Sequence, residues 1–274
     1  MNSFKSIIAI PGRLDSSRLP KKLLEDINGM KMIERVLFQC KKARGPIKVV
    51  LCTDSNELQR IATNNGFKVL MTSSNCSSGT ERIAEVSKKL IEIAWNEDSN
   101  ETLKEDQIEK KSKQTLIINV QGDQPFIDPL IIEKMHNFYS SMKESIKVVT
   151  PIYKLKKEKI HRPEIVKVLL GLNNKAIYFS RSAVPHVRDV DPKHWANFAD
   201  YWGHVGIYGV MSDILLNWSN ILESPLEKVE KLEQLRFIES EIPINTFIVE
   251  DETLSIDTHK QLEHAKKIAC KLGI

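Results

Sequence analysis

The chain has 274 residues, 41% hydrophobic and 28% charged, enough to bury a full core as one large α/β domain or one domain with a small appendage. A net charge of +4 over this length does not call for a nucleic-acid partner, so local cation clusters carry more information than the total. No apolar run reaches membrane-spanning length and no signal-peptide pattern opens the chain, so no membrane insertion is expected.

The apolar run Ser6–Ile10 predicts a buried parallel strand, and helical periodicity follows over Met30–Ala43. A strand is expected at Lys48–Thr53, then a helix at Asn56–Asn65 capped by Asp54 or Ser55. Next come a strand at Lys68–Met71 and a long helix at Thr80–Trp95. Residues Asn96–Gln114 are almost all polar with both charge signs mixed, and read as a solvated helix extension or a loop. A strand at Leu116–Val120 and a helix at Pro129–Met142, with proline in its first turn, complete this part. Strands alternating with helices predict a mostly parallel sheet with helices on both faces.

From Val148 the pattern is richer in strands: Val148–Tyr153, Val166–Leu170, Ile177–Ser180 and His204–Val210, separated by short polar breaks. This favours an antiparallel patch, about 148–210, that covers a site or pairs with a second copy. A helix at Pro225–Ser240, a strand at Thr246–Val249 and a helix at Thr258–Leu272 end the chain, and no hard boundary divides residues 1–274. Cys40, Cys52, Cys76 and Cys270 are scattered without a CxxC pair; they read as buried free thiols, which fits a reducing cytoplasm.

Five constellations carry chemistry. The first strand runs into Pro11-Gly12-Arg13 and a segment holding Arg18, Lys21 and Lys22. Cations in a turn at the carboxyl end of an inner strand suit a polyphosphate; the alternative is a solvated basic turn. In Gln121-Gly122-Asp123, Gly122 lets the chain turn as it leaves the sheet, and Asp123 lands on the same rim. A carboxylate facing phosphates makes sense with a divalent cation between them, and Mg²⁺ favours one or two carboxylates plus phosphate oxygens; otherwise Asp123 caps the turn before Pro125. Asp257, after the last short strand, reads by itself as a helix cap and, paired with Asp123, as a second metal carboxylate. Ser78-Gly79-Thr80-Glu81-Arg82 opens a helix whose N-terminus favours an anion or a base edge, or is an ordinary first turn. Finally, Arg181 or Arg236 suits a carboxylate, and His204, Tyr208, Glu233 and Gln234 suit hydroxyls, against structural roles for each.

With these residues in view, the chain resembles the 3-deoxy-manno-octulosonate (Kdo) cytidylyltransferase family from Ile7 to about Leu262. The matching strings include IPGRLDSSRLPKKLL, MIERV, SSGTER, INVQGDQP, YFSR, GHVGIYG, SPLEKVEKLEQLR and IDT. The resemblance implies a Rossmann-like nucleotidyltransferase fold, that of nucleotide-diphospho-sugar transferases, with a strand-rich dimerisation lobe in a homodimer. It implies an enzyme that converts CTP and the sugar acid into CMP-Kdo and pyrophosphate for lipopolysaccharide biosynthesis. A cytidylyltransferase for another acidic sugar, or a silent nucleotide-binding dimer, is the alternative.

Carried over by position, Arg13 and Lys22 contact the CTP phosphates, with Pro11, Gly12, Arg18, Ser78, Gly79, Thr80 and Arg82 around the nucleotide. Asp123 and Asp257 serve Mg²⁺, and Asp123, Asp257, Lys22 and Arg13 form the catalytic set. Gln121, Arg181, His204, Tyr208, Glu233 and Gln234 surround the sugar acid. The chain departs from the family where Gly-Lys is commonly found, here Lys21-Lys22, and where Pro-Trp-Asp-Arg-Asp is common, here Pro185–Asp189.

Overall fold

The computed structural model describes residues 4–16, 18–46, 48–95, 102–141, 146–250 and 252–274. Residues 96–101 of the polar stretch, and Met142 at the expected end of a helix, lie outside them. The elements run β1 (Lys5–Gly12), β2 (Asp26–Ile27), β3 (Met30–Lys31), α1 (Met32–Lys41), β4 (Val49–Thr53), α2 (Asn56–Asn64), β5 (Lys68–Met71) and α3 (Gly79–Glu85). They continue with α4 (Ser87–Trp95), α5 (Glu105–Ser112), β6 (Thr115–Asn119), α6 (Pro129–Ser141), β7 (Val148–Lys154), β8 (Lys167–Leu170), β9 (Ala176–Ser180) and β10 (Trp202–His204). The last are β11 (Tyr208–Met211), α7 (Ser212–Leu216), α8 (Pro225–Glu230), α9 (Leu235–Glu239), β12 (Ile244–Val249) and α10 (His259–Leu272). Two compact units result: Met1–Ser141 with Gly209–Trp218 and Thr253–Ile274, and Met142–Tyr208 with Ser219–Glu252.

In the first unit the strand order is β5-β4-β1-β6-β11. The central strand β1 pairs in parallel with β4 and β6, Ile8 lying between Val49 and Ile118, and β4 pairs in parallel with β5. Ile7, Ile8, Ile10, Leu51, Ile117 and Ile118 are almost fully buried, as expected of strands covered on both faces, which therefore read as unbroken apolar runs. Helix α1 packs with α2 and α6, whereas α4 packs with α3, α5 and α7, giving two helical groups around one mostly parallel sheet. Because β1 and β6 are parallel neighbours, their outgoing loops, Arg13 onward and Gln121 onward, leave the sheet side by side.

The second unit is the strand-rich one. Strand β7 pairs in parallel with β12 and antiparallel with β10, β10 pairs antiparallel with β8, and β8 pairs antiparallel with β9. A bridge from Lys175 to Asn245 brings the start of β9 back to β12, so this sheet curls towards closure.

Several expected elements divide. The helix at Thr80–Trp95 is two helices interrupted at Val86, and that at Pro225–Ser240 is interrupted at Lys231, which is left-handed with φ 53°. The strand at His204–Val210 is β10 and β11 with a break between. Helix α1 starts later than Met30 because Asn28-Gly29, both at positive φ, closes a tight hairpin between β2 and β3. Part of the polar stretch forms α5, and Ser55 caps α2 by accepting from the Leu58 N–H. Cys40, Cys52 and Cys76 are buried free thiols; Cys270 is exposed, a correction to the expected burial, because it faces outward on α10.

Candidate active site

A cavity of about 320 Å³ opens at the carboxyl end of β1 and β6, lined by Pro11–Arg13, Asp15, Ser16, Arg18, Lys22, Leu23, Ser78, Gly79, Arg82, Gln121–Asp123 and Asp257. The phosphate and metal candidates of the sequence therefore converge, with Asp15 and Ser16 as lining residues that the sequence reading did not single out.

Close backbone approach shapes this cavity. A Cβ at Gly79 would sit 3.0 Å from Pro11 Cγ, and one at Gly122 would sit 3.2 Å from the Pro11 carbonyl oxygen. The chain turns at Gly122 as expected, the Gln124 N–H donating to the Gln121 carbonyl at 3.3 Å, but without positive φ; the missing side chain also lets the two loops touch. The Ile256 N–H donates to the Asp123 carbonyl at 3.0 Å and so ties the segment before α10 to the Gln121–Asp123 loop. Thr258 caps α10 by accepting from the Gln261 N–H. Asp257 is thus released from the capping role and held beside Asp123.

Both carboxylates meet one ammonium. Lys22 Nζ donates to Asp123 Oδ2 at 2.5 Å and to Asp257 Oδ1 at 2.9 Å, and Arg18 Nη2 lies 3.2 Å from the same Asp257 oxygen. Burial disfavours the Lys22 charge, but the two carboxylates outweigh it and hold its pKa above the ordinary lysine value. Arg13 is exposed on the cavity wall and has no carboxylate partner among the described residues.

Lys21 occupies the left-handed region, φ 54° and ψ 28°, while its N–H donates to the Leu14 carbonyl. This is the position where the resemblance leads one to expect glycine. A Cβ in this region costs about 1 kcal/mol, so Lys21→Gly is expected to stabilise the chain by up to about 1 kcal/mol in urea unfolding. A loss of stability would show that the lysine side chain more than offsets its strain.

Two nucleotide candidates serve the frame. Arg82, 2% exposed, donates to Asp54 Oδ2 at 3.0 Å, to the Thr72 hydroxyl and to the Ser73 carbonyl. It thereby joins the loops after β4 and β5 to α3, pairing with Asp54, which the residue pattern offered as a helix cap. Thr80 is buried and accepts from Asn119 Nδ2 at 3.3 Å, and Asn119 in turn accepts from Gln121 Nε2 at 2.9 Å, so this chain of bonds fixes Gln121 at the cavity. Ser78 caps α3 by accepting from the Glu81 N–H.

The remaining sugar candidates lie in the second unit. His204 and Tyr208 rings are 5.3 Å apart, and Phe179 meets His204 edge-on. Burial drives the His204 pKa down to about 3, and burial with the nearby Glu233 charge raises that of Tyr208 well above its ordinary value. Gln234 is buried at the start of α9. Arg181 donates to the carbonyls of Glu230, Pro163 and Lys231, and Arg236 is gripped by Glu227 in two 2.7 Å bonds. The sequence offered both as carboxylate readers; the structure uses both guanidinium groups to hold neighbouring chain.

The His204 shift gives a signed expectation. The folded histidine stays neutral between pH 6.5 and about 3 while the unfolded one takes a proton, so its contribution is complete above 6.5 and declines as pH falls. In that window wild-type stability should fall more steeply than that of His204→Gln, by up to about 1.4 kcal/mol per pH unit. Parallel slopes in acid denaturation would contradict an imidazole held neutral by its half-buried position.

The profile of a family described as cytidylyltransferase matches residues 7–247. The 3-deoxy-manno-octulosonate cytidylyltransferase of Myxococcus xanthus (strain DK1622) is 33% identical over 98% of both chains. That of Francisella philomiragia is 33% identical over 95% of this chain and 97% of its own. A solved structure of CMP:2-keto-3-deoxy-manno-octonic acid synthetase complexed with CTP superposes with a TM-score of 0.84, at 32% identity, over 98% of this chain and 99% of the other. With two acidic loops and a basic strand-end loop brought to one cavity, and with relatives matched over nearly the whole length, the chain belongs to the 3-deoxy-manno-octulosonate cytidylyltransferase family.

Proposed function

We propose that the chain transfers CMP from CTP to the anomeric hydroxyl of 3-deoxy-D-manno-octulosonate, releasing pyrophosphate. The observation that carries this reading is the convergence of Asp123 and Asp257 on one cation position inside a basic cavity. The relatives' names and the CTP complex of the similar structure support the choice of substrates.

The donor set fits Mg²⁺. It is two carboxylates with only oxygen donors, and no group of three or more His, Cys, Asp or Glu that could hold a metal occurs among the described residues. Water and phosphate oxygens would complete the shell, as Mg²⁺ prefers. The lysine ammonium already resting between the carboxylates marks where positive charge is stable. When bound there, Mg²⁺ would supply Lewis-acid stabilisation at the phosphoryl oxygens and lower the pKa of the attacking hydroxyl.

The protein's own residues do the rest. Arg13 and Arg18 draw in the triphosphate, and Lys22 leaves the carboxylates to contact it, neutralising charge that builds on the departing pyrophosphate. Gln121, fixed through Asn119 and Thr80, borders the reacting end. On the sugar side we assign His204, Tyr208, Glu233 and Gln234 to hydroxyls, with Arg181 positioned by its backbone bonds rather than open to a carboxylate.

We further read the protein as a cytoplasmic homodimer acting in lipopolysaccharide biosynthesis. No helix among the described residues is long and apolar enough to cross a membrane, and three buried free thiols suit a reducing compartment. Exposed Leu172, Ile177 and Ile248 in the strand-rich unit support pairing with a second copy. Pyrophosphate release with CTP, Mg²⁺ and Kdo tests the function; release with another sugar acid and not with Kdo would reassign the substrate, and no release with any acid would favour a silent nucleotide-binding protein.

A further inference from the structure

Thr150 lies in β7 with its side chain completely buried, and its hydroxyl touches three groups: the Ile207 carbonyl at 2.8 Å, the Val205 carbonyl at 3.2 Å and His204 Nε2 at 3.0 Å. A hydroxyl has one proton to give. The Val205 carbonyl already accepts from the Ile207 N–H at 2.7 Å. If Thr150 gave its proton to His204, two carbonyl oxygens would face hydroxyl lone pairs in a dry interior, an arrangement that costs the full desolvation of an unmet acceptor. Donation to Ile207 O removes that conflict and obliges His204 to donate from Nε2.

We propose that Thr150 is a positioning residue that fixes His204 as its Nε2–H tautomer, leaving Nδ1 as an acceptor that reads a donor, a sugar hydroxyl, and rejects a carboxylate oxygen. Nδ1 has no hydrogen-bond partner among the described residues. Phe179, edge-on at 5.1 Å, fixes the ring plane. The low His204 pKa agrees with a ring that stays neutral, and the titratable groups nearby are Tyr208 and, beyond it, Glu233. The hydroxyl assignment rests on the sugar-acid reading above; the tautomer does not.

The test has two arms. In ¹⁵N-histidine-labelled full-length protein at pH 7, two-bond ¹H–¹⁵N correlation should show a neutral Nε2–H ring for His204, identified by its loss in His204→Gln. A ring protonated on Nδ1, or on both nitrogens, overturns the proposal. In the second arm, Thr150→Val should raise KM for Kdo about tenfold with KM for CTP within about twofold, and should lose the single-tautomer signature; Thr150→Ser should restore both. Wild-type Kdo kinetics in Thr150→Val overturns it. If the wild type shows the Nε2–H ring yet transfers no CMP to Kdo, the substrate reading fails and the tautomer assignment stands.

Discussion

Asp257→Ala is expected to lower kcat by about a thousandfold while CTP still binds. The loss follows from removing one of the two carboxylates that meet at Lys22 and would hold the metal, a contribution worth several kcal/mol in the transition state, where about 1.4 kcal/mol is one factor of ten. Binding is spared for a different reason. Asp257 is a negative charge held at 2.9 Å by Lys22 and at 3.2 Å by Arg18, so its removal frees two cations for the triphosphate. The variant should fold normally, because Lys22 keeps Asp123 as its partner and the Arg18 side chain is exposed to water. Steady-state turnover with equilibrium CTP binding checks both halves; near-normal turnover, or loss of CTP binding in step with turnover, would refute the metal role.

Lys22→Met is expected to act in opposite directions on the two ligands. Without the ammonium, Asp123 and Asp257 face each other unneutralised in a part-buried site, and a divalent cation should bind there without nucleotide about tenfold more tightly than in the wild type. Meanwhile kcat/KM for CTP should fall by about a hundredfold, as when one charge-stabilising donor is removed from a reacting oxyanion. Mn²⁺ titration without nucleotide separates this from a general loss of structure, since a misfolded site would lose affinity for both. Unchanged Mn²⁺ affinity would show that Lys22 does not occupy the cation position.

Much of the first unit was legible because its strands are apolar on both faces. β1, β4, β5 and β6 appear within two residues of where the runs lie. Short elements were not: β2 and β3 have two residues each, too few for a period, although Asn28-Gly29 is itself a hairpin signal. The break at Lys231 depends on a left-handed residue that no side-chain pattern announces.

At the site, residue types were legible and their partners were not. Asp123 and Asp257 each had a plausible capping role, and only the Ile256-to-Asp123 backbone bond and the Thr258 cap decide between the readings. Arg82, Arg181 and Arg236 were legible as cations, but their partners Asp54, backbone carbonyls and Glu227 were not, and of the three Arg82 lines the cavity. Thr150 carried no signal at all: a threonine in a strand is ordinary, and its importance comes from a histidine 54 positions away.

The most direct measurement is the EPR signal of free Mn²⁺ titrated into the protein with a non-hydrolysable CTP analogue. The proposed site predicts one protein-dependent Mn²⁺ beyond that taken by the free nucleotide, lost to the same degree in Asp123→Asn and Asp257→Asn. Retention of that ion in either single variant would contradict a metal shared by the two carboxylates.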